Sequence, residues 1–223
     1  MRMDKTSGQP PREVSAKAAE AVVLLDRQYL LTCHLIQTRA SVLTEFEQAI
    51  KASEQSLKHV LEVFNYVFAL IDNLVRYQKI AAALPLLSQK RAECRALDSA
   101  MGALKDVRNQ LQHINNDIEN DYSGPLLGAV CWVSDTLQFI ASFLDVSRPR
   151  STPGIILDTQ KGQYVHEFVY VYNEIYHDLG KAISGMHAFQ TFVRQSFSVQ
   201  TDGKPYDPNS HFVAACVSFV PSH

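Results

Sequence analysis

Arginine, asparagine and histidine stand close together in the stretch DVRNQLQHINND, residues 106 to 117, as Arg108, Asn109 and His113. These residue types could together cleave a phosphodiester. RNA carries its own nucleophile, the 2′-hydroxyl. Taking its proton requires a base that titrates near neutral pH, and histidine is the side chain with such a value. Charge then builds on the phosphate oxygens, and the planar, permanently charged fork of arginine suits them. Asn109 would orient the imidazole or the phosphate through an uncharged hydrogen bond. This set requires no metal and no cofactor.

The elements must bring these groups to one face. The spacing predicts a helix over residues 87 to 119, with Leu97, Met101, Leu104, Val107, Leu111, Ile114 and Ile118 toward the core. At about 100° per residue, Asn109 and His113 lie one turn apart on the opposite side, and Arg108 at the flank of the apolar stripe. Gly102, Asp106, Asn109, His113 and Asn116 form a continuous polar stripe. The glycine leaves room for a second helix, so the stripe could be the seam of a homodimer. Two copies of Arg108 and His113 would then make a local basic pocket. A solvated helix face is the alternative reading of the same stripe.

Two further helical segments precede this one. The first starts near Glu13 and runs through AKAAEAVVLLDRQYLLTCHLIQ. Thr44 and Glu47 have the spacing of a capping box, so it either restarts near residue 44 or continues as one bent helix. The second carries Leu57, Val60, Leu61, Phe64, Phe68, Ile71 and Val75 on one stripe and ends at Pro85. Short links between long amphipathic helices imply antiparallel neighbours.

Near residue 123 the chain changes character. SGPLLGAVCWV, LQFIASFL, GIILDT and QYVHEFVYVYN read as strands, with QKG at 160–162 as a hairpin turn. In the last, His166, Phe168, Tyr170 and Tyr172 share one face, and Val165, Glu167, Val169 and Val171 the other, as in a strand covered on both sides. Residues 126–144 also fit a helical stripe that Pro125 could start. Gly128 and the aromatic and β-branched content favour strands. From Asp178 a helix returns, with Leu179, Ala182, Ile183, Met186, Phe189, Val193 and Phe197 inward. TDGK at 201–204 then reads as a turn before a last strand, HFVAACVSFV. The expected class is α+β, an antiparallel helical bundle with an appended small antiparallel β-sheet. The expected division is a loose 1–11, a bundle over 12–122, and a strand-rich 123–223 whose helix at 178–197 packs back on the bundle.

The arginine, the polar residue directly after it and the histidine five places on resemble the Arg-x4–6-His signature of the HEPN superfamily of helical, often RNA-cleaving proteins. The resemblance covers roughly residues 14 to 122, with 178–197 as a possible closing helix. It implies a dimeric, metal-independent endoribonuclease of toxin or defence type. Arg108 and His113 would be catalytic, Asn109 supporting, and single-stranded RNA the substrate. The products would be a 2′,3′-cyclic phosphate and a 5′-hydroxyl. The resemblance also implies an antitoxin partner, although Asn115 stands where many members carry the tyrosine that such a partner modifies. Other HEPN-type domains are inactive assembly modules, which gives the alternative function: a non-catalytic module that dimerises through the same seam. A second Arg-to-His spacing, Arg27 to His34, lacks the adjacent asparagine and falls inside the first helix.

Composition narrows the remaining possibilities. The net charge is −2 and the sequence pI about 6.4, so any contact with nucleic acid must be local. Cys33, Cys94, Cys131 and Cys216 are far apart with no Cys-x-x-Cys pair, as buried free thiols of a cytoplasmic protein would be. No secretory leader and no membrane span are expected. Neighbouring residues on a strand face opposite ways, so His166 and Glu167 would not ligate one metal, and His177–Asp178 lacks a third ligand. Arg148 and Arg150 fall in an expected solvated loop. Phe168, Tyr170 and Tyr172 could stack bases, but sheet packing is the expectation.

Overall fold

A computed structural model describes residues 12–13, 15–54, 57–85, 87–88, 91–112, 127–135, 137–143, 157–158, 163–172, 174–198, 200–201, 204–205 and 207. The described residues form an α+β fold of five helices and several short strands. Helix α1 spans Ala16–Lys51 without interruption. No restart occurs near Thr44. Glu47 is instead buried, and its Oε1 accepts a hydrogen bond from Trp132 Nε1 at 2.8 Å. The helix ends where Ser53 takes a left-handed φ of 58° and the Glu54 N–H reaches back to the Ala49 carbonyl, closing the last turn.

Helix α2 (Leu57–Ala82) folds back along α1, and Gln28 of α1 donates to Asn73 Oδ1 at 2.8 Å. The expected stripe describes only part of its burial. Leu57 and Leu61 are exposed, whereas Val63, Tyr66, Val67, Leu70, Leu74 and Tyr77 are buried beside Phe64, Ile71 and Val75. A helix wrapped by neighbours on several sides is apolar on more than one stripe.

The third helix is two. Helix α3 (Ala92–Met101) stops at Gly102 and α4 (Leu104–Gln112) begins two residues on. Gly102 has φ 52° and ψ −133°, a backbone state that an L-residue strongly resists. The single helix expected over 87–119 is therefore corrected: it starts later and is broken at the glycine. Helix α5 (Leu179–Ser196) buries six of the expected inward residues, Phe197 being buried just past its end, and Asp178 caps it by accepting from the Lys181 backbone N–H at 2.8 Å. It runs antiparallel to α1, with Tyr29 beside His187 and Asp26 beside Arg194, and to α3, with Arg91 over Phe192 and Ala100 against Gly185.

The strands are short. β1 (Arg12–Glu13) precedes α1. β2 (Ala129–Ser134) and β3 (Leu137–Ser142) form a hairpin across residues that also fit a helical stripe. β4 (Leu157–Asp158) pairs with β5 (Gln163–Tyr164), followed by β6 (Phe168–Tyr172) and β7 (Ile175–Asp178). β8 (Phe197–Ser198), β9 (Gln200–Thr201) and β10 (Lys204–Pro205) follow α5. The main sheet is antiparallel in the order β3-β2-β6-β7. QYVHEFVYVY is not one strand: it breaks at residues 165–167, so His166 lies between β5 and β6. Strand β7, unexpected from the sequence, ends on the helix cap itself, Asp178. A left-handed Glu174 (φ 62°) lies in its tight turn.

Both faces of β6 are buried, as the residue pattern implied. Phe168, Tyr170 and Tyr172 join Trp132, Phe139 and the buried residues of the helices in one hydrophobic cluster. Ala129, Cys131, Val169 and Val171 form a second cluster on the outer face. The inner face of the sheet thus forms part of the helical core. Among the described residues no helix is long and apolar enough to cross a membrane. The expected last strand, HFVAACVSFV, lies outside them, as do the loose 1–11 segment and Arg148 and Arg150.

Candidate functional site

Helix α4 presents the candidate residues. Leu104 and Val107 are buried and Leu111 half-buried, which turns Asp106, Asn109 and Gln110 to solvent and leaves Arg108 at the flank. The flank faces α2. Arg108 Nε donates to Asp72 Oδ1 at 2.5 Å, and one turn along α2 Arg76 Nε pairs with Asp72 Oδ2 at 2.7 Å. One carboxylate therefore holds two guanidiniums, each through Nε. The side chain of Arg108 is 19% exposed and that of Arg76 60%. Burial alone would raise the Asp72 carboxyl; the Arg108 hydrogen bond and the charge of Arg76 outweigh it and hold the group below its ordinary value.

His113 and Asn116 lie outside the described residues. Of the expected stripe, Asp106 and Asn109 are displayed on α4. Gly102 is exposed, but it sits in the break before α4 and not on a continuous helix face. A Cβ added there would meet nothing within 4 Å, so among the described residues no neighbouring helix approaches it. The close approach occurs at Gly185, where a Cβ would lie 2.3 Å from the Ala100 Cβ.

Asp72 and Arg76 were missed in the sequence. Their i, i+4 spacing is the signal for a helical ion pair. It was hidden because Asp72 directly follows Ile71, on a helix read for its apolar stripe. A second polar cluster was missed as well, between α1, α2 and α5. Asp26, only 3% exposed, accepts at Oδ1 from Gln190 Nε2 at 2.8 Å and from Arg194 Nε and Nη2 at 2.9 and 2.6 Å. Tyr77 O–H donates to Gln190 Oε1 at 2.9 Å, and Tyr29 O–H shares a hydrogen bond of 3.0 Å with His187 Nδ1. This network ties three helices together.

The strand histidines take separate places. His166 Nδ1 lies 2.9 Å from Asp178 Oδ2, and its ring stacks on Tyr176; Glu167 is exposed. His177 is buried, which lowers its pKa, while the charge of Asp106 acts the other way. Among the described residues no group of three or more His, Cys, Asp or Glu could hold a metal ion. Phe168, Tyr170 and Tyr172 are in the core and offer no ring to a base. Cys33, Cys94 and Cys131 are free thiols, each raised in pKa by burial, Cys131 to about 12, so none is poised as a thiolate. Cys216 lies outside the described residues. The chain matches no protein-family model, no curated protein and no solved structure in the comparisons made.

Proposed function

We propose that the chain is a cytoplasmic, HEPN-type, metal-independent endoribonuclease of toxin or defence kind, working as a homodimer on single-stranded RNA. Arg108 and His113 are its catalytic residues and Asn109 supports them. His113 takes the proton of the 2′-hydroxyl, and O2′ bonds to phosphorus as the bond from phosphorus to O5′ breaks. The leaving oxygen takes a proton from the second copy's imidazolium. A 2′,3′-cyclic phosphate and a 5′-hydroxyl remain. Arg108 neutralises the charge that gathers on the phosphate.

The observation that carries this reading is the grip on Arg108. A transition-state cation must be fixed before the reaction to be effective. Asp72 holds Nε, and among the described residues no hydrogen bond engages the Nη groups of Arg108, which are left to meet another anion, with exposed Asn109 next to it in sequence. The same pair also favours the second reading, a non-catalytic HEPN-like module, because an arginine tied to Asp72 can serve simply to fasten α4 to α2.

Incubation with single-stranded RNA in EDTA separates the two. The wild type should cut and leave cyclic-phosphate ends, while His113→Ala and Arg108→Ala each lose roughly 100-fold or more. Light scattering should give twice the 25.0 kDa chain mass at micromolar concentration. A dimer that leaves RNA intact establishes the interaction module; a monomer that leaves it intact removes both.

A further inference from the structure

We infer that Asp72 is the positioning residue of the Arg108 site and that Arg76 is its second phosphate-binding group, so that the site grips the scissile phosphate and a flanking one of an RNA strand. This rests on the ribonuclease reading and adds to it two residues from a different helix.

The argument begins with charge. The chain carries a net −2, so a polyanion can be held only where cations locally outnumber carboxylates. Arg76, Asp72 and Arg108 form such a place, with two guanidiniums on one carboxylate held ionised by both of them. Geometry adds to this. Asp72 is engaged through Nε on each side, so its two oxygens are used while the Nη groups of both arginines stay uncommitted to it. Arginine has five N–H donors, and a partner on Nε fixes the plane of the fork without consuming the edge that meets a phosphate. The exposures divide the roles. Arg108 is mostly buried and tied to Asp72 of α2, as the reacting phosphate requires. Arg76 is mostly exposed on the outer turn, where a neighbouring phosphate of a flexible strand would pass.

The test uses the full-length chain with two readouts. On single-stranded RNA in EDTA, Asp72→Asn should lower kcat by roughly 10- to 100-fold with KM little changed, because the cation loses its alignment while the strand is still held. Its melting temperature should stay near that of the wild type. Arg76→Gln should do the reverse, raising KM with kcat little changed. With a non-cleavable 2′-O-methyl oligonucleotide, Arg76→Gln should reduce the slope of log K against log salt by about 0.7, the value for one lost phosphate contact on a single strand. This binding measurement stands even if Asp72→Asn folds poorly. Cleavage by Asp72→Asn at the wild-type kcat, or an unchanged salt slope in Arg76→Gln, overturns the inference and leaves the nuclease standing. A wild-type chain that never cuts RNA overturns the nuclease reading itself.

Discussion

His177 shows how a single buried side chain sets a pH dependence. Its neutral ring is buried on β7, and burial lowers its folded pKa despite the nearby charge of Asp106. In the unfolded chain it returns to the ordinary value of about 6.5. Between the two values the unfolded state binds the extra proton. The stability due to His177 is therefore complete above about pH 6.5 and is lost as the pH falls toward the depressed folded value. Thermal melts from pH 7.5 to 5 should show a falling midpoint that is flatter in His177→Gln. Gln190 makes a second case. It donates to Asp26 and accepts from Tyr77, so Gln190→Leu strands the buried Tyr77 hydroxyl, leaves Asp26 with Arg194 alone, and should cost roughly 1–3 kcal/mol in denaturant titrations.

Glycines at two places decide how the third and last helices behave. Gly185 lets α5 lie against Ala100 of α3, so Gly185→Ala should destabilise the fold by roughly 1–3 kcal/mol through overpacking, measurable as a lower midpoint at constant m-value. Gly102 shows where periodicity misleads. Leu97, Met101, Leu104 and Val107 all point inward as expected, yet a stripe of that spacing continues across a kink, because burial constrains faces and not backbone angles. Helices α1, α2 and α5 and the buried strand β6 were legible because each has a strong period or apolar run. Strand β7 was not, since IYHD is short and partly polar and runs directly into a helix cap. The candidate site was legible only along its own helix. Arg108 could be found from its neighbours in sequence, whereas Asp72 lies 36 residues away and belongs to the site only through the packing of α2 on α4.

At the scale of the whole molecule, helices and sheet share one hydrophobic cluster, and Trp132 is the only tryptophan in the chain. It sits on β2, bonded to Glu47 of α1 and stacked on Phe139. Tryptophan fluorescence should therefore report the same unfolding transition as the helical circular-dichroism signal, with coincident midpoints; two separated transitions would mean that sheet and bundle come apart independently. The pairing of β1 with β8 has a further consequence for synthesis. These strands run parallel, Arg12 beside Phe197 and Glu13 beside Ser198, so the first described residues of the chain bond to residues made some 185 positions later. On the ribosome β1 must wait, without this partner, until α5 and β8 have emerged, and a nascent chain stalled before Phe197 carries that edge open.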